Sequence, residues 1–152
     1  MKIAAMKNEN SGASLRFENQ ICFPLYSAAN AVVRAYTPLL EELDVTYLQY
    51  MVLMLLWEDP QMNVKALGEH LRLDSGTLTP LLKRMEAKGL VIRARSEQDE
   101  RVRLIGITKK GLGLQVKAQG IPEKLACSTG MSKSQGREFK SMCEQLLKAL
   151  EA

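Results

Sequence analysis

The sequence predicts a mainly α-helical fold with a small β-wing: a winged helix-turn-helix flanked at both ends by amphipathic helices. Two helical patterns, joined by the short turn "RLDS", run through residues 63–88. Two alternating, β-branched segments, "LVIRAR" and "RVRLIGI", follow at once and read as a hairpin around "SEQDE". The apolar stripes at the two ends of the chain find no partner within so small a middle core, and the simplest cover for them is a second copy of the same pair.

Each element follows from its pattern. From Pro24 to Leu43, Leu25, Ala28, Ala29, Val32, Tyr36, Leu39, Leu40 and Leu43 recur at helical spacing. "LDV" interrupts. Thr46 and Gln49 form a capping box for a second helix, which carries Tyr47, Tyr50, Met51, Met54 and Leu55 on one side and ends at "EDP". Asn63 caps a short third helix with the stripe Val64, Leu67, Leu71. Leu78, Leu81, Leu82 and Met85 line a fourth, which stops at Gly89. After the hairpin, Thr108 caps a fifth helix that Gly120 and Pro122 weaken or kink near its end. Ser132 and Gln135 cap a last helix with Phe139, Met142, Leu146, Leu147 and Leu150 on one face. The expected organisation is a flexible tail over 1–19 and one domain over 20–152. Within it, 20–58 and 108–152 supply the outer helices and 62–107 the helix-turn-helix and wing.

Length and charge narrow the class. A chain of 152 residues suits one domain with a real core. No run of eighteen apolar residues occurs and the first residues carry no secretory h-region, so no membrane span is expected and the cytoplasm is the expected compartment. Cysteines there are normally reduced. The formal net charge of +4 permits nucleic-acid binding. Across residues 62–107, nine Lys or Arg stand against six Asp or Glu, so most of the excess sits on the helix-turn-helix and wing.

In "DSGTLTPLLKRMEAK" the leucines and Met85 are expected to face inward, leaving Ser75, Thr77, Thr79, Lys83 and Arg84 outside. Small hydroxyls allow close approach to a major groove, and Arg or Lys donates to guanine edges or phosphates. Pro80, near the helix start, is expected to remove only one backbone bond. Arg93, Arg95, Arg101 and Arg103 place two cations on each wing strand, suited to a narrow minor groove. Asp99 and Arg101 could instead pair within the turn.

Cys22 in "NQICFPLYSAA" raises a separate question. A free cysteine is often a small buried hydrophobe. With Pro24 at the first helical position, however, Cys22 lies just upstream of a helix N-terminus, whose N–H groups and dipole favour a thiolate, the reactive form. Tyr26, Tyr36 and Tyr47, three of four tyrosines, are close in sequence. The surroundings are rich in Met and Leu, suited to an organic oxidant.

The stretch "VKALGEHLRLDSGTLTPLLKRMEAKGLVIRARSEQDERVRLIGITKKG" resembles the core of MarR-type winged-helix regulators. The marks are "TLTPLLKRMEAKGLV", the Asp-x-Arg wing in "DERVRLIGIT", and "TKKG". The resemblance implies a homodimer on a pseudo-palindromic operator, usually as a repressor. "CFPLYSAANAVVRAYTPLLEELDVTYLQY" further resembles the organic-hydroperoxide resistance branch in its two-cysteine form. That resemblance implies a peroxidatic role for Cys22 and hydrogen bonds to it from Tyr36 and Tyr47 across the dimer. It also implies a resolving role for Cys127 of the other subunit, with Cys143 as a rival resolver. Organic hydroperoxides would be the effector, entering near Phe23, Leu25, Tyr26, Leu48, Met51 and Met54.

Two rivals stand beside it. A regulator of the same type could answer to a small ligand rather than to oxidation. A thiol peroxidase could use Cys22, but a winged helix has no use there and no Arg and Thr arrangement surrounds the cysteine. Three scattered cysteines and the lone His70 show no zinc-ligand spacing, so neither metal nor cofactor is expected.

Overall fold

The computed structural model describes residues 15–95 and 102–151. The chain divides into two units, Met1–Tyr36 and Thr37–Ala152. The first holds a short 3-10 turn, Phe17–Asn19, and most of α1 (Cys22–Leu40). The expected tail therefore ends in ordered turn structure, and its residues 1–14 lie outside the described residues. None of residues 15–36 is buried.

The helix predicted from Pro24 begins at Cys22, so Pro24 is the third helical residue rather than the first. Nothing is lost by this, because the N–H groups of the first turn have no intrahelical acceptor. The first backbone bond there runs from Leu25 N–H to the Ile21 carbonyl, at 3.3 Å. The helix also stops earlier than Leu43. A 3-10 turn, Glu41–Leu43, follows, and Asp44 takes a left-handed conformation at φ 50.

The second unit contains the core. α2 (Tyr47–Glu58) starts from the expected Thr46–Gln49 capping box. Of its predicted stripe only Tyr50 is buried; Gln49, Val52, Leu53 and Leu56 are the other buried positions, and Tyr47, Met51, Met54 and Leu55 are half-buried. The helix is apolar nearly all round because it passes through the centre of the unit. α3 (Val64–Leu71) begins at Asn63, whose side chain accepts from Ala66 N–H at 2.7 Å. α4 (Ser75–Ala87) begins at Asp74. Between them Arg72 turns left-handed at φ 54 and Leu73 N–H bonds the Gly68 carbonyl at 3.0 Å. Gly68 makes room for that turn, since a Cβ there would lie 3.0 Å from the Leu73 carbonyl oxygen. Pro80 is the sixth residue of α4, beyond the start predicted for it, and the carbonyl of Gly76 receives no backbone bond from it.

The sheet has a strand that the sequence pattern did not reveal. β1 (Gln61–Asn63) pairs antiparallel with β3 (Arg103–Ile107), which pairs with β2 (Val91–Arg95), giving the order β1-β3-β2. β1 has three residues, none β-branched, and its last is also the cap of α3. The wing tip, including Asp99 and Arg101, lies outside the described residues.

The predicted fifth helix is two helices. α5 (Lys109–Ala118) opens at Thr108 as expected, but Gly120 at φ 86 ends it, and Pro122 sits in the first turn of α6 (Ile121–Ser128). Glycine permits the left-handed break and proline starts a new helix there. Gly111 is where α2 and α5 meet the start of β2. A Cβ on it would come within 2.3 Å of the Leu90 carbonyl oxygen, and its own carbonyl accepts from Trp57 Nε1 at 3.0 Å. α7 (Lys133–Leu150) has the predicted Ser132–Gln135 capping box and buries no residue.

Candidate DNA interface and cysteine site

α4 is divided as its sequence demands. Leu78, Leu81, Leu82 and Met85 are at most 2% exposed, each burial worth about 1.5–3 kcal/mol. Ser75, Thr77, Thr79, Lys83 and Arg84 are exposed on the other side. Thr77 is already engaged. Its backbone N–H donates to Asp74 Oδ1 at 2.9 Å and its hydroxyl to Oδ2 at 3.0 Å. These bonds, backbone first, hold the Asp74 carboxyl below the usual carboxylate range.

Arg93 is engaged as well, with Nε 2.6 Å from Glu86 Oε2 of α4, so this arginine ties the wing to the helix. Arg95 and Arg103 stand directly opposite each other across β2 and β3, and both are exposed. Like charges in cross-strand register repel. An anion laid between them would offset that cost.

The back of the helix-turn-helix is bolted to the turn before α2. Lys88 Nζ lies 2.9 Å from Asp44 Oδ1, and Lys110 Nζ donates to the Lys88 carbonyl at 2.7 Å. Thr108 Oγ1, besides capping α5, donates to the Gly89 carbonyl at 2.7 Å. The sequence patterns identified neither Lys88 nor Asp44, because their link joins positions 44 residues apart.

Cys22 is exposed, in the unpaired first turn of α1. The rings of Phe17 and Phe23 lie beside it in sequence and 4.3 Å apart, centroid to centroid. Ile21, Phe23, Leu25 and Tyr26 are all exposed. The first unit thus presents a thiol on an apolar surface. Phe17, assigned to the tail from sequence, is part of that surface; an aromatic in an otherwise polar segment was the available signal. Tyr36, farther along α1, is half-buried.

The other expected redox residues belong to the second unit. Tyr47, Leu48 and Met51 lie on α2, half-buried. Burial raises the Tyr47 phenol above its ordinary value, so it keeps its proton as a donor at neutral pH. The Tyr50 phenol is raised too, by burial first, then by the negative charge of Glu123 and, where Tyr47 itself ionises, by that phenolate. Cys127 is exposed in the last turn of α6, and Cys143 is half-buried on α7; all three thiols are free. Among the described residues, no three His, Cys, Asp or Glu side chains form a metal-binding group, and no helix is long and apolar enough to cross a membrane.

The MarR family model matches residues 45–102. The chain is 47% identical over 143 residues to the organic hydroperoxide resistance transcriptional regulator of Bacillus subtilis (strain 168), covering 94% of this chain and 95% of that protein. Among solved structures, reduced AbfR bound to DNA matches with a TM-score of 0.74 and 34% identity, over 91% of this chain and 97% of that one. Disulfide-formed AbfR matches with a TM-score of 0.58 and 34% identity, over 91% and 92%. AbfR is from Staphylococcus epidermidis.

Proposed function

This chain belongs to the MarR family of winged-helix transcriptional regulators, and from that premise we propose that it is an organic-hydroperoxide-sensing repressor. Its reduced homodimer holds a pseudo-palindromic operator, and oxidation at Cys22 releases it. The observation that carries this is the exposed Cys22 thiol on the apolar first turn of α1. The likeness to a protein named for organic hydroperoxide resistance and to a regulator with reduced, DNA-bound and disulfide forms supports it.

α4 enters the major groove with Ser75, Thr79, Lys83 and Arg84 at its surface. Thr77 shapes the helix start through Asp74. Arg95 and Arg103 straddle phosphates, with Asp99 and Arg101 forming the wing tip. Hydroperoxide reaches the sulfur over Phe23, Tyr26, Leu48 and Met51. The Cys22 thiolate attacks the terminal peroxide oxygen, the O–O bond breaks, and an alcohol leaves after taking a proton. Cys22 is then a sulfenic acid. The thiol of Cys127 of the partner subunit attacks that sulfur, water departs, and a disulfide forms. Tyr36 and Tyr47 donate to the reduced sulfur across the dimer and lose that acceptor on oxidation. The two reading helices then miss half-sites about one DNA turn, 34–36 Å, apart.

A gel shift tests this: Cys22→Ser should bind operator and ignore cumene hydroperoxide. Release of DNA from the oxidised variant sinks the proposal. On a non-reducing gel Cys127→Ser should show no oxidant-induced cross-linked dimer; a persisting band passes the resolving role to Cys143.

One observation favours a second reading. A cavity of about 400 Å³ lies against Tyr50, Met54, Trp57 and Glu123, large enough for a small aromatic effector. DNA release by a non-oxidising ligand, lost in Trp57→Ala, would favour it.

A further inference from the structure

The cavity of about 400 Å³ where α2, α5 and α6 meet has a floor and a rim of different kinds. Its floor holds Tyr50, only 2% exposed, with the half-buried Met54 and Trp57. The Tyr50 and Trp57 rings lie 5.9 Å apart, centroid to centroid, at 70° to each other, so their planes form a corner. The indole is held in place, because Trp57 Nε1 donates to the Gly111 carbonyl at 3.0 Å. The rim is polar and exposed, with Glu58, Gln115 and Glu123.

The charge on that rim has one sign. Lys and Arg outnumber Asp and Glu in the chain, 21 to 17, yet no Lys or Arg lines this cavity. Glu58 and Glu123 do line it, and neither has an ion pair among the described residues. The charge of Glu123 is felt at the floor, where it adds to burial in raising the Tyr50 phenol. Glu58 ends α2 and Ala118 ends α5, so the negative ends of two helix dipoles, about half a charge each, open here as well. α6 brings a positive end, but its first turn carries Glu123.

We propose that this cavity binds a small organic cation with an apolar body, an aryl- or alkyl-ammonium ion. This gives a ligand class to the second reading above, a non-oxidising effector at the same cavity, and rests on that reading for any effect on DNA. The volume suits a small molecule. The apolar body covers Met54 and the ring corner. The ammonium group lies within about 6 Å of a ring centroid, where the aromatic quadrupole attracts it. Glu58 and Glu123 balance its charge from the rim. A neutral ligand gains nothing from those carboxylates, and an anion is repelled by them.

Trp57 is the chain's single tryptophan, so its fluorescence reads the cavity in the full chain. Reduced protein is titrated with benzyltrimethylammonium, with benzyl alcohol as the neutral probe and benzoate as the anion. The cation should quench saturably and bind about tenfold tighter than the alcohol, the gain of a cation set over rings beside a carboxylate. Benzoate should bind weakest. By NMR the N-methyl signals of the bound cation should move upfield, shielded by the rings. Glu58→Gln with Glu123→Gln, both at exposed positions, should erase the preference and leave the affinity for benzyl alcohol unchanged. Gln115→Glu, which adds a carboxylate to the rim, should tighten the cation by about twofold to fivefold, the range of an exposed ion pair. No saturable binding of the cation, equal binding of the alcohol, or a preference that survives the double glutamine variant overturns the proposal. The effector reading is judged apart, by the anisotropy of an operator duplex held by Cys22→Ser. Release by the cation supports it; binding of the cation with the operator still held contradicts that reading while the cation site stands.

Discussion

α4 and α1 are both well-formed helices, but they are held in different ways. α4 is capped by Asp74, buries four side chains, and is tied at its far end through Lys88 to Asp44 and through Glu86 to the wing. α1 buries only its last residue, Leu40, and its cysteine end is exposed apolar surface. α7 repeats the second case, with a full capping box and no buried residue. The reading helix is thus complete within one chain, while the helices at the ends have good local signals and uncovered faces. A regulator profits from that split, because a rigid reader can be moved as a body when the covering of its outer helices changes.

The largest effects should fall on the reader's core. Leu81→Ala or Met85→Ala should cost about 2–5 kcal/mol by denaturant melts, independent of protein concentration. Phe139→Ala on α7 should instead show a loss that grows with dilution, since in the proposed homodimer its cover is another copy. Equal, concentration-independent costs would erase the contrast between the two regions. Gly111→Ala should come next, at about 1–3 kcal/mol, because its methyl meets first the Leu90 carbonyl, backbone that cannot swing aside, and then the Ile107 side chain.

The wing sharpens the contrast through salt. Arg95→Ala and Arg103→Ala should each lower the slope of log affinity against log salt by about 1, if each holds one phosphate. Arg93→Ala should change that slope less, because its partner is Glu86. Fluorescence anisotropy with an operator duplex reads both. The smallest effect concerns acid. The folded Asp74 carboxyl titrates below its ordinary value of 3.8, so its stabilising contribution is full above that value and is lost as pH falls through the lower one. Asp74→Asn keeps an N-cap oxygen without the charge. Melts below pH 4 should fall less steeply for the variant than for wild type.

Much of this was legible in the sequence because it is local. The caps at Thr46, Asn63, Thr108 and Ser132 stand where their residue types placed them, as does the buried stripe of α4. β1 was not legible, since three residues without β-branching form a strand only because β3 lies alongside. The α5–α6 break was read as a kink because the spacing alone does not show that Gly120 goes left-handed. Thr77 and Arg93 were read as surface groups for DNA; their bonds to Asp74 and Glu86 come from the cap and from tertiary packing. Cys22 was found through its neighbours in sequence, but its apolar surroundings include Phe17, which pattern alone had left in the tail.

One titration tests the central claim. Operator-bound protein is treated with increasing cumene hydroperoxide while anisotropy follows DNA release, with Cys22→Ser alongside. The account predicts complete release of wild type at about one hydroperoxide per subunit, since one hydroperoxide joins one Cys22 thiol and one Cys127 thiol in one disulfide, reversal by dithiothreitol, and no release from Cys22→Ser. Release of the serine variant at the same dose, or wild type that stays bound after its Cys22 is oxidised, would contradict it.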